Sequence, residues 1–200
     1  MINFNIDYDF SNLFDTKHKK KQIILCNTSS ILENHFIKLQ SRFNGKYDRI
    51  PHYTISRKGD VYQHVNPELV TNFMSFEDSD NYSIIICLEN IGWVEKDIKK
   101  NVFIDWKGDV YDDEITERSW KNKKHWATYT KPQIEVLLQL LNYLCDRYSI
   151  EKQFTGNNVT ITRPKSFKGV LNRSNYNKNY YDLSPAMDFE YITNNLISNE

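Results

Sequence analysis

The sequence predicts an α/β fold, with a central mixed β-sheet flanked by helices. Two observations carry that expectation. Short apolar runs rich in β-branched residues recur, as in Ile23-Ile24-Leu25 and Ile84-Ile85-Ile86. Between and after them lie stretches whose apolar residues fall at helical spacing. Strands alternating with helices point to a layered α/β architecture. Two hundred residues suit one domain with a full core, and 1–200 is taken as a single unit.

Residues 1–20 precede the first central strand as an N-terminal arm. Its Phe4, Ile6, Tyr8, Phe10, Leu13 and Phe14 are available to pack on the domain or on a neighbour. Lys17 to Lys21 is a basic run containing His18, expected as a solvated loop. The first strand is placed at 22–27, ending in the polar turn Asn27-Thr28. Over 30–42, Ile31, Leu32, His35, Phe36 and Leu39 share one helical face, with His35 expected as a hydrogen-bonded histidine at the core edge. Residues 51–63 form a hairpin whose turn is Lys58-Gly59-Asp60, because glycine supplies backbone angles that other residues avoid.

Ser83 to Asn90 is a further strand, and its continuous apolar run suits a central position covered on both faces. Residues 93–128 form an insertion that holds all four tryptophans, Trp93, Trp106, Trp120 and Trp126. Within it, Asn101 to Tyr111 has the pattern of another hairpin with a glycine turn. The aromatic density fits a small satellite core, or an interface or sugar-stacking surface. Thr130 is the N-cap of the clearest helix, with Pro132 in its first turn and Gln133 completing a capping box. Ile134, Leu137, Leu138, Leu141, Cys145 and Tyr148 make its sheet-facing stripe. A last helix is expected from about Met187 to Ile197.

Composition narrows the function classes. Twenty-six basic and 26 acidic residues give zero formal charge, so there is no bulk attraction to nucleic acid or to an anionic membrane. No apolar stretch approaches the roughly 18 residues of a membrane span. The polar, acidic N-terminus lacks a signal-peptide layout, which predicts synthesis in a cytoplasm. Three widely spaced cysteines do not make a disulfide framework. Only two alanines among many Asn, Lys, Ile and Tyr suggest an AT-rich genome, that of a low-GC bacterium or its virus.

The order and spacing of Ile23-Ile24-Leu25-Cys26-Asn27-Thr28, the Pro51–Gln63 hairpin, Ser83–Asn90 and Tyr181-Asp182-Leu183-Ser184-Pro185-Ala186 resemble the N-acetylmuramoyl-L-alanine amidase family, the amidase-2 and peptidoglycan-recognition fold. The resemblance covers residues 22–92 and 129–197. It implies a zinc ion that polarises the amide between muramic acid and L-alanine and activates a water. Catalytic zinc sites use three protein ligands and one open position. In the family these are a histidine at the end of the first strand, a second histidine late in the chain, and a Cys, Asp or His shortly after it.

Here Cys26 stands at the first position, and a thiolate is a competent zinc ligand. Asn172, in Val170-Leu171-Asn172-Arg173-Ser174-Asn175, stands at the second. A neutral amide oxygen suits harder cations better than zinc. Asp182 stands at the third, where a carboxylate can bind. Some relatives carry a tyrosine where Pro51 falls and a lysine where Tyr180 falls; others place a glutamate on the central strand, matched by Glu89 or Cys87. Glu89 is the candidate base, weighed against a structural bond at a strand end.

With no histidine in the ligand set, no bound metal is expected. The resemblance then implies a non-catalytic amidase-like module. Such a module binds a peptidoglycan fragment, or protein partners in an assembly such as a phage virion. Its groove runs past Cys26, His52, Glu89, Asn172, Tyr180 and Asp182. The alternative is an active amidase in which Cys26, Asp182 and a third ligand hold zinc. A Cys26–His52 hydrolase is a further option, since a thiolate needs a neighbouring base.

Overall fold

The structure, a computed structural model, describes residues 2–43, 49–74, 76 and 78–196. In chain order the strands are β1 (Phe4–Asn5), β2 (Gln22–Asn27), β3 (Tyr53–Ile55), β4 (Val61–Gln63), β5 (Ser83–Leu88), β6 (Trp93–Asp97), β7 (Val102–Ile104), β8 (Val110–Tyr111), β9 (Ile115–Trp120), β10 (Lys123–Ala127) and β11 (Gly169–Asn172). The helices are α1 (Leu32–Phe43), α2 (Ser79–Tyr82), α3 (Lys131–Tyr148), α4 (Arg173–Tyr176) and α5 (Phe189–Asn195). The last helix is shorter than its apolar pattern, and Ile197 lies outside the described residues.

The main sheet is mixed, in the order β1-β4-β3-β5-β2-β11. Strands β3, β5, β2 and β11 run parallel, and β3 pairs antiparallel with β4. Both central strands, β2 and β5, are buried along their full length, as their apolar runs demand. Alternation sorts their side chains. Ile23, Leu25, Ile84 and Ile86 pack with Leu137, Leu141 and Leu144 of α3. Ile24, Cys26, Ile85 and Cys87 point the other way, onto Phe73 and Met74. Each such buried side chain contributes about 1.5–3 kcal/mol from the area it removes from water.

The β3–β4 turn is closed by Gly59 at φ +90°, where an added Cβ would sit 3.1 Å from the Pro132 carbonyl oxygen. Thr130 caps α3 by accepting from the Gln133 backbone N–H at 3.4 Å. The reciprocal half of the expected capping box is missing. The Gln133 side chain instead donates to the carbonyls of Ile55 and Glu89, each at 3.1 Å, tying α3 to the sheet.

The N-terminal arm packs on the domain. Phe4 of β1 pairs in register with Val61 of β4, and the Tyr8 ring stacks on Phe36 at 4.3 Å. Lys20 departs from the solvated-loop expectation for Lys17–Lys21. Its ammonium is buried and donates to the Leu69 carbonyl at 2.8 Å. Burial, opposed by Asp80, lowers its pKa to about 8.

Residues 93–128 build a second, antiparallel sheet in the order β8-β7-β6-β10-β9. Ile91, Val94 and Ala127 form a small core beneath it, with Phe103, Tyr111 and Ile115 packed against them. This is the satellite core the sequence allows. Trp126 is fully buried, while Trp106 remains 48% exposed.

Candidate active-site cleft

Parallel strands end together, so the carboxyl ends of β2, β5 and β11 bring three separate segments to one place, the usual location of a ligand site in such sheets. In-register pairing sets Cys26 beside Cys87. Their sulfurs lie 2.9 Å apart, and the Cys26 thiol also donates to the Ile86 carbonyl at 3.4 Å. Burial first, then the bond to Cys87, raises the Cys26 pKa well above the usual thiol range; Arg173 opposes this only in part. The group is a thiol, not a thiolate.

Asn172 ends β11 on the far side of β2. Its amide nitrogen donates to the Asn157 carbonyl at 2.8 Å, and its side-chain oxygen is buried with no hydrogen-bond partner among the described residues. Asp182 comes from the segment after α4. One carboxylate oxygen accepts from the Asn27 backbone N–H at 2.8 Å, and the other from Arg173 Nε at 2.5 Å. Burial works against the Arg173 charge, but the Asp182 carboxylate more than offsets it and raises its pKa. A guanidinium is therefore the cation set among Cys26, Cys87 and Asp182. Arg173 carries no expected role from the sequence; its one signal is its place directly after Asn172 in the matched segment.

The remaining expected residues fall elsewhere. Glu89 joins three segments: one oxygen accepts from the Leu32 N–H at the start of α1 (2.9 Å), the other from the Arg57 N–H (2.8 Å). His52, expected in the groove, is fully buried, because both ring nitrogens serve the main chain. Nδ1 accepts from the Ile85 N–H at 2.9 Å and Nε2 donates to the Leu69 carbonyl at 3.0 Å. It has no bond to Cys26, so the Cys26–His52 dyad is not formed. Burial, then the charge of Lys20, lowers its pKa to about 3.

A second buried histidine cluster was not foreseen. His35 and His64 both meet the Thr54 hydroxyl, at 3.0 and 2.9 Å. Burial lowers the His64 pKa to about 4, so its ring is neutral. Its Nδ1–H donates to the Tyr8 carbonyl at 3.1 Å, which leaves Nε2 to accept from Thr54 and Thr54 to accept from His35. This places His35 at the core edge, hydrogen-bonded.

Two clefts open at the carboxyl end of the sheet and share Asn27, Ser29 and Arg173. The larger, about 350 Å³, has an aromatic wall of Trp93, Trp106, Tyr180 and Tyr181, with Asp182 at its floor. The smaller, about 240 Å³, carries His35, Lys38, Arg49 and Cys87. Tyr180 lies against the Arg173 guanidinium at 4.8 Å. Among the described residues no group of three or more His, Cys, Asp or Glu side chains converges to hold a metal ion.

A sequence model of the N-acetylmuramoyl-L-alanine amidases matches residues 15–170. No curated protein sequence matches the chain. Among solved structures, the chain is similar to the Escherichia coli N-acetylmuramyl-L-alanine amidase AmiD, seen in complex with anhydro-N-acetylmuramic acid-L-Ala-D-gamma-Glu-L-Lys. The TM-score is 0.60 at 15% identity, covering 92% of this chain and 60% of AmiD. The chain thus spans less than two thirds of that relative. It is also similar to the amidase LysC from Clostridium intestinale, with TM-score 0.55, 13% identity and 98% of each chain covered. A third is AmpDh3 from Pseudomonas aeruginosa in complex with an anhydromuramic pentapeptide. There the TM-score is 0.56 at 16% identity, over 97% of this chain and 67% of that one. These likenesses show the shared fold.

Proposed function

The chain belongs to the N-acetylmuramoyl-L-alanine amidase family, and we propose that it binds a peptidoglycan fragment in its cleft without hydrolysing it. What carries this reading is the Arg173–Asp182 ion pair at 2.5 Å. The three positions that hold zinc in the family offer here a protonated thiol, a neutral amide whose unpartnered oxygen suits harder cations, and a carboxylate neutralised by arginine. That set does not fit zinc, which takes thiolate, imidazole and free carboxylate. A guanidinium beside it adds repulsion toward any divalent ion. Glu89 is spent on two backbone N–H groups and lines neither cleft.

Binding is supported by the walls that remain. The aromatic cleft suits the apolar face of a sugar ring, and Lys38 and Arg49, which line the smaller cleft, give it the charge that suits carboxylates of a stem peptide. Solved relatives bind muropeptides of this composition.

The test combines three assays on purified protein: co-sedimentation with insoluble sacculi, release of soluble muropeptide, and metal content. Retention on sacculi with no release, with or without added zinc, is expected. Chelator-sensitive release together with stoichiometric zinc overturns the non-catalytic part, and failure to sediment overturns the binding part.

A further inference from the structure

We propose that Trp106 is the stacking platform of a saccharide subsite, supplied by the second sheet to the aromatic cleft; the proposal rests on the peptidoglycan-fragment reading above. A pyranose ring has an apolar C–H face and a rim of hydroxyls. It is recognised by an exposed aromatic plane that is held still, with polar groups beside it.

Trp106 has those properties. It is nearly half exposed, at 48%, although a large aromatic in water forfeits its burial. It is nonetheless fixed. Its indole N–H donates to the Ser29 carbonyl at 3.1 Å, which anchors the ring to the loop after β2. It stands at the tip of the β7–β8 hairpin, and the tip is locked. Asp105 accepts from the backbone N–H groups of Lys107 and Asp109 at 2.8 and 3.0 Å, the Asp105 N–H donates to the Asp109 carbonyl at 2.8 Å, and Gly108 takes φ +91°. The ordering cost of a flexible aromatic is therefore met on folding, and less is lost when a ligand arrives.

The other aromatic residues of the cleft are more engaged. The Lys123 ammonium lies 3.4 Å over the Trp93 ring, the Arg173 guanidinium lies 4.8 Å from the Tyr180 ring, and Tyr181 packs edge-on to Trp120 at 5.9 Å. Among the described residues, the cations over Trp106 stand farther off, Lys107 at 5.4 Å and Lys38 at 6.0 Å, on long flexible stems. Asn179 lines the same cleft and brings an amide group to ring hydroxyls. Its volume, about 350 Å³, is at the small end of ligand cavities and fits one ring with its first substituent.

The test is titration calorimetry with two probes: anhydro-N-acetylmuramic acid-L-Ala-D-gamma-Glu-L-Lys and the same tripeptide without the sugar. The wild-type chain is expected to bind the sugar-bearing probe more tightly. Trp106→Ala weakens that probe by about tenfold, a loss typical of removing one aromatic contact, and leaves the sugar-free peptide unchanged. Trp106→Phe keeps a smaller platform and shows an intermediate loss. It serves as the second variant should the alanine chain fold poorly. Equal affinity of wild type and both variants for the sugar-bearing probe overturns the subsite and leaves the proposed function standing. No binding of either probe by the wild-type chain overturns both.

Discussion

Arg173 Nε lies 2.5 Å from Asp182 Oδ2, and this contact sets a fixed positive charge beside two thiols at the carboxyl end of the sheet. Asp182 is only 4% exposed in its side chain and Arg173 18%. Removing one partner of such a pair leaves the other charge unpaired in a poorly solvated place. Arg173→Ala is expected to destabilise the fold by about 3–5 kcal/mol, and the double change Arg173→Met with Asp182→Asn to recover much of that loss. Urea unfolding midpoints of the three chains check this. An Arg173→Ala chain as stable as wild type would show that the pair is an exposed contact of little worth.

Glu89 gives the second prediction. Its two oxygens hold the first N–H of α1 and the N–H of Arg57 beside the hairpin turn. Glutamine keeps one acceptor and places an NH₂ group against the other donor. Glu89→Gln is therefore expected to cost about 1–3 kcal/mol, because a partly buried donor is left without its acceptor. Its effect on sacculus binding is expected to be small. A chain of unchanged thermal midpoint but lost binding would instead place Glu89 in the ligand site.

The central sheet was legible because its signals are local. A six-residue strand buried on both faces must be apolar throughout, and Ile23–Leu25 and Ile84–Ile86 are; a turn that needs φ +90° calls for glycine, and Gly59 supplies it. What the sequence did not disclose depends on distant partners. Lys20 is buried because carbonyls from residues 69, 80 and 81 surround its ammonium, none of them near in sequence. Gln133 leaves its capping box because carbonyls of the sheet compete for its amide. His52 is removed from the groove by two backbone groups of neighbouring segments. Arg173 was visible as a residue but not as a cation, since its role exists only once the loop after α4 returns Asp182 to β2.

The buried histidines set the behaviour in acid. His64 and His52 have folded-state pKa values of about 4 and about 3, lowered first by burial from 6.5. The unfolded chain therefore binds more protons than the folded one between about pH 6.5 and these values, so stability rises with pH across that window. It is fully present above about pH 6.5 and is lost progressively as pH falls from there to about 4, by about 3 kcal/mol for His64 alone. Unfolding free energy measured from pH 7.5 to 4 checks the slope. His64→Gln is expected to flatten it. A slope unchanged by that substitution would assign the acid sensitivity to other groups.

The thiols give the last prediction. Cys26 and Cys87 are buried against the Phe73–Met74 segment, Cys87 at the wall of the smaller cleft, and Cys145 faces the core from α3. Burial raises Cys26 far above the usual thiol range and Cys145 to about 12. The nucleophile in thiol exchange is the thiolate, and among the described residues Cys26 bonds only the Ile86 carbonyl and the Cys87 sulfur, neither a base that could generate it. The native chain is thus expected to react with a disulfide reagent at neutral pH far more slowly than a free thiol, and to yield all three thiols once denatured. Fast stoichiometric labelling of Cys26 in the native chain, abolished by His52→Ala, would instead restore the cysteine-hydrolase reading. That result would require the two residues to meet in a conformation in which His52 has given up both of its backbone partners.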